Sequence, residues 1–290
     1  MPGSRGAIHR AFVIVNGMVH MNKDLSRPLA YGRTAEIYAW QEGQVLKLFY
    51  DWFGLDNIEY EARIARTVHA SGLPVPAVGE IICVNGRNGL VYQRVDGNSM
   101  WEMLSRKPWC GFRYARRMAE LHAGMHARTI QADIPSQRQR LINKIHHMEA
   151  FPARLQSKLL AALETMPGGD RLCHGDFHPG NILMTAQGET IIDWIDASRG
   201  NPLADLARTT ILALGAAETS QIQNKSRKAF LRIFHAAYIR HYFKLRPGGE
   251  GEYRHWLPII AAARLSEGIP ELEKWLIARA EYGTRSWPAA

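Results

Sequence analysis

The segment that most restricts the fold runs from Leu172 to Met184 and is followed closely by Thr190–Trp194. Its apolar stretches NILM and TIID are short, and the TAQGE between them contains the turn residue Gly188, so we expect an antiparallel β-hairpin. In such a hairpin the start of one strand lies beside the end of the other. Asn181 opens the first strand and Asp193 closes the second, so their side-chain oxygens should meet at one end of the ribbon.

A second carboxylate, Asp176, belongs to the same end of this hairpin. It precedes Asn181 in a loop bent by Pro179 and Gly180. Two carboxylates and an amide oxygen suit Mg²⁺, a hard cation that proteins bind through one or two carboxylates together with substrate phosphates. The remaining carboxylate can orient an acceptor hydroxyl or take its proton, as phosphoryl transfer requires. Turn stabilisation is the alternative role for Asp176 and Asn181, but the spacing of the whole segment favours a site.

The pattern of the remaining chain changes near residue 97. Before it, three hairpin patterns, at 11–21, 35–49 and 80–95, alternate with turn residues, and 57–72 has the apolar spacing of a helix. The first hairpin is predicted to turn at 16–17 and the third through the four residues 85–88. After it the chain is mainly helical, with predicted helices at 99–107, 111–128, 137–149, 153–165, 203–214, 225–246, 252–266 and 270–282. We therefore predict an α+β fold with a small antiparallel β-rich lobe over 1–97 and a larger helical lobe over 98–290.

The motif H-G-D-x-x-x-x-N at 174–181, followed by I-D-W at 192–194, resembles the aminoglycoside phosphotransferase/choline kinase-like family, a branch of the protein-kinase-like superfamily. The resemblance extends over roughly 30–275 and implies a two-lobed protein-kinase-like fold. It implies Asp176 as the catalytic base.

The same resemblance implies Asn181 and Asp193 as Mg²⁺ ligands. The segment Gly200–Ala207 looks like the family's G-D-P-x-x-D-L-A, with Asn201 where the usual residue is Asp. Asp205 of this segment is expected to brace the metal loop rather than to touch substrate.

The amino-terminal part contains a lysine within an apolar strand, Lys47 after Val45 and Leu46. A buried ammonium group needs an anionic partner. The resemblance implies that Lys47 binds the ATP phosphates and pairs with Glu61 in the following helix. Glu59 is nearby in sequence but lies about 160° away around a helix of 3.6 residues per turn.

Three further features are nucleotide-binding candidates by resemblance. The stretch 30–38 occupies the position of the phosphate-covering loop, but it has a single glycine, Gly32, so we expect Arg33 or Thr34 to contribute. Gln93 and Val95 fall at the hinge that contacts adenine through backbone atoms, the Gln93 carbonyl and the Val95 amide.

The acceptor is the least determined part of the prediction. In the resembling enzymes the last helices line the acceptor cleft, and Glu267 and Glu271 flank the break at 268–270. We predict that they bind a cationic acceptor carrying at most one or two positive charges. The alternative is that both are solvated, Glu271 because negative charge is favoured in a first helical turn.

These residues together predict an ATP- and Mg²⁺-dependent phosphotransferase that acts on a small-molecule hydroxyl. The alternative is a catalytically silent nucleotide-binding module of the same fold, which should lack the base or a metal ligand, and here all of them are present. A protein kinase is disfavoured because no D-F-G to A-P-E activation segment follows Asp193. A zinc site at His122 and His126 is disfavoured because the H-E-x-x-H glutamate is absent.

The net charge of +9 arises mainly after residue 97, with seven Lys and Arg residues and no acidic one between Glu218 and Glu250. No zinc finger or nucleic-acid-binding motif accompanies this basic face at 225–246, so we interpret it as solvated. No apolar run approaches the ~20 residues that span a bilayer. The three cysteines have neither disulfide nor zinc spacing. A cytoplasmic location is expected.

Overall fold

The computed structural model describes residues 12–15, 18–130, 133–148, 152–218, 224–285 and 287. The chain divides into two compact units, Met1–Asp96 and Gly97–Ala290. The division falls one residue before the boundary predicted from the sequence. The turn at 16–17 that was predicted for the first hairpin lies outside the described residues.

Seven strands of the described first unit form one sheet with the order β1-β2-β6-β7-β5-β4-β3. Neighbouring strands pair antiparallel except β2 and β6, which pair parallel. Hairpin patterns do not reveal that pair, because the two strands lie far apart in the sequence. The strands are β1 Phe12–Val15, β2 Met18–Met21, β3 Ala30–Tyr31, β4 Ala35–Ala39, β5 Gln44–Phe49, β6 Val78–Val84 and β7 Arg87–Gln93.

Helix α1 spans Leu55–Ala70 and packs on this sheet. Side chains of β5 alternate between the two faces. Leu46 and Leu48 belong to one apolar cluster, whereas Phe49 belongs to another that contains Ile58 and Ala62 of α1. Lys47 shares the face of Phe49 by this alternation. The strand period thus directs the lysine toward α1.

The β6–β7 hairpin differs from the sequence-based prediction. Asn85 and Gly86 have φ angles of 52° and 82°, and two successive positive φ angles close a two-residue turn. Arg87 therefore already pairs with Val84. The four-residue turn predicted over 85–88 is wrong, and β7 begins at Arg87.

Helices dominate the second unit, and they coincide with the predicted helices to within a few residues. In the described part of the chain none of them is long and apolar enough to cross a membrane. Helix α3 packs on α7, and α8 packs on both α6 and α9. The helices are α2 Met100–Arg106, α3 Gly111–His126, α4 Gln137–His146, α5 Ala153–Thr165, α6 Pro202–Glu218, α7 Lys225–Leu245, α8 Glu250–Arg264 and α9 Pro270–Thr284.

Short strands hold the predicted site within this helical unit. Strands β10 and β11 form the predicted antiparallel hairpin, and β8 pairs with the outer side of β10. Strands β9 and β12 pair with each other. The sequence did not predict β8, β9 or β12, because strands of two or three residues are too short to show an alternation of apolar and polar side chains. The bounds are β8 Asn98–Ser99, β9 Arg171–Cys173, β10 Ile182–Thr185, β11 Gly188–Ile191 and β12 Ser198–Gly200.

Candidate active site

The β10–β11 hairpin brings Asn181 and Asp193 to one end. Asn181 ends a short 3₁₀ helix immediately before β10. The amide of Ile192 donates a hydrogen bond to the Asn181 carbonyl at 3.0 Å, which extends the pairing past the strand ends. Asp193 follows Ile192 directly. The predicted convergence at this end of the ribbon is therefore present in the backbone.

The Asn181 side chain is fixed by the loop that contains Asp176. Its Nδ2 donates to the carbonyl oxygen of Asp176 at 2.9 Å and lies 3.3 Å from Asp176 Oδ2. Because the amide nitrogen is used in this way, the amide oxygen Oδ1 is directed elsewhere and retains its acceptor capacity. Asn181 and Asp176 are thus held in one rigid group.

The carboxylate of Asp176 lies among cationic and imidazole groups. Its Oδ2 is 3.5 Å from His178 Nε2, and its Oδ1 is 3.9 Å from Arg208 Nη2. Burial alone would raise the pKa of Asp176, but His178, Arg208 and His174 together hold this pKa well below its usual range. Asp176 is consequently ionised at neutral pH and can accept a hydrogen bond from a hydroxyl group.

The loop before Asp176 is anchored to the buried carboxylate of Asp205 in α6. The backbone amides of His174 and Gly175 each donate to it at 2.8 Å. Gly175 has a φ of 79°, and a Cβ there would lie 2.4 Å from the Asp196 carbonyl oxygen. Only glycine fits this turn. Asp205 therefore contacts the loop backbone, as the sequence suggested for a bracing residue.

His122 and His126 of α3 bond to the same carboxylate. Each Nε2 lies 3.1 Å from Asp205 Oδ2. The Nδ1 atoms are 2.5 and 2.6 Å from the hydroxyls of Tyr238 and Tyr242 in α7. Because a carboxylate only accepts, each Nε2 must donate to it and each Nδ1 must accept from a tyrosine. Burial lowers the pKa of His122 to about 3 and also lowers the pKa of His126.

These neutral histidines connect α3, α6 and α7 behind the Asp176 loop. The nitrogens and the carboxylate oxygen are close enough together to hold a metal ion. All of these atoms already have hydrogen-bond partners, and the side chains are fully buried. The arrangement fits a hydrogen-bonded brace, and the helical spacing of His122 and His126 is the sequence signal that marks it.

Glu267 lies in ion pairs with two arginines. Its Oε1 is 2.6 Å from Arg208 Nη2, and its Oε2 is 3.4 Å from Arg264 Nε. Two positive charges thus already neutralise the carboxylate that was predicted to bind a cationic acceptor. Glu271 is exposed in the first turn of α9. Arg208 was missed in the sequence, although it follows Asp205 by three residues and so lies on the same side of the helix.

In the first unit Lys47 pairs with Glu61. Lys47 Nζ is 2.6 Å from Glu61 Oε1, and the hydroxyl of Tyr92 donates to the same oxygen at 2.9 Å. The Glu61 side chain is buried, whereas Glu59 is exposed. The predicted partner is therefore the one that the structure shows, and Tyr92 is an addition that the sequence did not indicate.

The other residues that were predicted to contact nucleotide lie at or next to strand ends of the sheet. Gly32 and Thr34 belong to the tight connection between β3 and β4, where the Gly32 amide donates to the Ala35 carbonyl at 2.8 Å. Gln93 ends β7, and its backbone amide donates a hydrogen bond to the Ala77 carbonyl at 2.9 Å. Val95 follows, half-buried, before the end of the unit.

Solved structures share this architecture across nearly the whole chain. A thermostable mutant of aminoglycoside phosphotransferase APH(4)-Ia matches with a TM-score of 0.63 and 17% identity, covering 92% of this chain and 96% of that one. A choline/ethanolamine kinase family protein from Mesorhizobium loti matches with a TM-score of 0.53 and 16% identity, covering 88% and 86%. Amicoumacin kinase hAmiN matches with a TM-score of 0.58 and 13% identity, covering 91% and 89%.

These similarities establish a protein-kinase-like fold, in agreement with the expectation from the sequence. No curated protein sequence matches the chain. The model of the phosphotransferase enzyme family matches residues 53–252, a span that includes α1, the Asp176 loop, the β10–β11 hairpin and α6. The chain therefore belongs to the phosphotransferase enzyme family.

Proposed function

We propose that this protein is an ATP- and Mg²⁺-dependent kinase that transfers the γ-phosphoryl group of ATP to a hydroxyl of a small molecule. The observation that carries the proposal is that the hydrogen-bonded pair of Asp176 and Asn181 lies at the same end of the β10–β11 hairpin as Asp193. Family membership supports the reaction class, and related structures were solved with ADP and with AMP-PNP. The proposal includes a cytoplasmic location, where ATP is available.

The residues at the hairpin end fit a magnesium ion. A carboxylate and an amide oxygen are donors of the hard type that Mg²⁺ prefers. Asn181 uses its nitrogen on Asp176, which leaves Oδ1 as a ligand atom. Asp193 has a positive φ of 65°, a backbone conformation that non-glycine residues adopt at functional sites. Bound there, Mg²⁺ would neutralise charge on the ATP phosphates.

Asp176 serves as the group that orients the acceptor. Its carboxylate is ionised, so it accepts the hydrogen bond of the acceptor hydroxyl. As the acceptor oxygen bonds to the γ-phosphorus, the bond from that phosphorus to the oxygen of ADP breaks, and the hydroxyl proton passes to Asp176. Because the transition state is loose, a weak base placed correctly is sufficient.

In the first unit, Lys47 is proposed to bind ATP phosphates and Glu61 to orient Lys47. Tyr92 adds a hydrogen bond that keeps Glu61 Oε1 in place. Gly32 and Thr34 are proposed to cover the phosphates, and the backbone of Gln93 and Val95 to contact the adenine.

Replacing Asp176 with Asn tests the proposal. We expect transfer to fall by about 10²–10⁴-fold, because the substitution removes the proton acceptor. Binding of ATP with Mg²⁺ should persist, since Asn181 and Asp193 remain. The measurements are steady-state ATP consumption over a panel of hydroxyl compounds and calorimetric binding of a non-hydrolysable ATP analogue.

The wild-type protein decides between this enzyme and the silent nucleotide-binding module. Wild-type ATP consumption that depends on an added hydroxyl compound supports the kinase. Nucleotide binding without consumption over the whole panel would instead support the module. Unchanged kcat in the Asp176→Asn variant would remove Asp176 from the mechanism.

A further inference from the structure

A basic pocket lies next to the loop that carries Asp176. This cavity has a volume of about 50 Å³ and is built from α4, α6, α8 and the segments around Gly175 and Asp196. A single water needs about 10–15 Å³ on the same kind of measure. The pocket therefore has room for a chemical group of a few heavy atoms rather than for a sugar ring. Its charged lining is mainly cationic and consists of Arg140, Lys144, Arg208 and Arg264, with Asp196 and Asp205 as the acidic members.

Lys144 is the clearest indication that this lining suits an anionic ligand. In the part of the chain that the structure describes, its ammonium group makes no hydrogen bond and no ion pair. Burial lowers the pKa of Lys144 and the charge of Arg208 lowers it further, against the opposing charges of Asp196 and Glu267. Lys144 is half-buried, and an ammonium in that position is stabilised by a direct anionic contact, which an anion in the pocket would supply.

The carboxylates around the pocket are already in use. Both oxygens of Asp205 accept hydrogen bonds from the brace and the loop. Asp196 lies 3.8 Å from Arg140 Nη2. Glu267, just outside the pocket, is shared between Arg208 and Arg264. The three arginines therefore have carboxylate partners, and Lys144 is the cation of the lining that makes no ion pair among the described residues.

Arg264 provides a second donor without a hydrogen-bond partner. The residue is 8% exposed, and its Nε makes no hydrogen bond among the described residues, although Glu267 Oε2 lies at 3.4 Å. Its Nη1 donates to the Ile211 carbonyl at 3.0 Å, which holds the guanidinium in a fixed position. Buried guanidinium donors with fixed geometry are suited to carboxylate and phosphate oxygens.

We propose that this pocket binds an anionic group, a carboxylate or a phosphate, of the acceptor molecule whose hydroxyl Asp176 orients. The inference rests on the phosphotransferase function proposed above and gives its acceptor a chemical class, a small hydroxy acid or phosphorylated alcohol. It replaces the cationic acceptor expected from Glu267 and Glu271, because the charged lining of the pocket is mainly cationic and its carboxylates already have partners.

Arg208 connects the pocket to the site of transfer. It lines the pocket, and its Nη2 lies 3.9 Å from Asp176 Oδ1. Its Nε also donates to the Gly175 carbonyl at 2.9 Å. When a molecule binds beside Arg208 through its anionic group, a hydroxyl a few bonds away along the same molecule can reach Asp176.

Binding of matched compounds to the full chain, without nucleotide, tests the inference. The anionic probes are glycerate, gluconate, glycerol 3-phosphate and glucose 6-phosphate. The neutral and cationic controls are glycerol, glucose, ethanolamine and glucosamine. By titration calorimetry we expect at least one anionic probe to bind ten-fold or more tightly than its uncharged and cationic counterparts. Preference for the carboxylates or for the phosphates identifies the group. Equal or weaker binding of all the anions would overturn the inference.

Substitutions at Lys144 connect the binding to the pocket. Lys144→Met should weaken binding of the preferred anion about ten-fold or more, because one charge-assisted contact is lost. Lys144→Arg should retain most of the affinity. Lys274→Met, on the exposed side of α9, is the matched control and should bind like the wild type. The melting temperature of Lys144→Met should not fall, since the removed charge has no partner. Unchanged anion affinity in Lys144→Met would place the anion elsewhere.

Two further outcomes separate this inference from the proposed function. Asp176→Asn should bind the anion with at least wild-type affinity, because it removes a negative charge beside Arg208, but it should not transfer phosphate to it. Anion binding at Lys144 with no ATP consumption on any hydroxyl compound would overturn the kinase proposal and leave the anion site in place. Efficient transfer to ethanolamine or glucosamine, with no anion bound, would overturn the acceptor class and leave the kinase proposal intact.

Discussion

Asp193 adopts a backbone conformation that a side chain makes unfavourable. Its φ of 65° lies in the left-handed region, which costs a non-glycine residue about 1–2 kcal/mol. Glycine would avoid that cost, yet the position holds a carboxylate. The hairpin thus places an acidic side chain at its end at the expense of stability, a combination that is typical of functional positions.

Two substitutions at this residue separate backbone strain from the side chain's function. Asp193→Gly and Asp193→Ala both remove the carboxylate, so both should lose Mg²⁺-dependent ATP consumption. The glycine variant should nevertheless be more stable than the alanine variant by about 1 kcal/mol, because only alanine is strained at positive φ. Chemical denaturation measures this difference. Alanine at least as stable as glycine would contradict the left-handed assignment, and retained activity in either variant would remove Asp193 from the proposed metal site.

At the scale of elements, local patterns predicted the β10–β11 hairpin and helix α1, and the family resemblance implied the Lys47–Glu61 pair. The hairpin and the helix depend on residues close together in the sequence, where strand and helix periods fix which side chains share a face. The grouping of His122, His126 and Asp205 depends instead on how α3, α6 and α7 pack. Periodicity showed that the two histidines share a face, but it could not show which carboxylate they meet.

The basic pocket was beyond sequence reasoning for the same reason. Arg140 and Lys144 lie on α4, Arg208 on α6 and Arg264 on α8, so no local spacing relates them. Glu267 was chosen from its position near the last helices, and its neutralisation by Arg208 and Arg264 follows only from the packed helices. Charge at a site therefore could not be inferred from the charge of the sequence around it.

The pairing of β5 with α1 makes a prediction for nucleotide use. Lys47→Ala and Glu61→Ala should each raise KM for ATP or lower kcat, with the larger effect at Lys47. Their combined effect should be smaller than the sum of the two, because both remove one ion pair. Glu59→Ala, on the exposed side of the same helix, should leave both parameters unchanged and serves as the control. A fully additive double-mutant cycle would exclude Glu61 as the partner of Lys47 in catalysis.

At the scale of the whole molecule, the chain carries a net charge of +9. Two arginines of the basic helix α7 have partners within the second unit. Arg232 pairs with Glu218 at 2.9 Å, and the Arg227 guanidinium lies 5.5 Å from the centre of the Trp101 ring. The buried side of α7 supplies Tyr238 and Tyr242 to the histidine brace. This helix is therefore an integral part of the second unit, and the solvated character of its exposed basic residues stays a prediction.

Buried neutral histidines determine how this protein responds to acid. Burial lowers the pKa of His122 to about 3 and that of His235 to about 4, and it also lowers the pKa values of His126 and His174. In the unfolded chain a histidine titrates near 6.5. Below that pH the unfolded state binds protons that the folded state does not bind, so the free energy of unfolding falls as the pH is lowered.

We therefore expect the free energy of unfolding to decrease between pH 7 and pH 5, before most carboxylates are protonated. Each histidine kept neutral contributes a slope of up to about 1.4 kcal/mol per pH unit below 6.5. Urea denaturation at pH 7, 6 and 5 measures the slope. His235→Gln should reduce this pH slope by the contribution of one histidine. The substitution disturbs the fold little, because His235 forms one hydrogen bond, to Thr210. His69→Gln, exposed at the end of α1, should leave it unchanged. Constant stability from pH 7 to 5 would show that these histidines take up protons in the folded protein over the same range as in the unfolded chain, and the tyrosine hydroxyls could then no longer donate to the protonated His122 and His126.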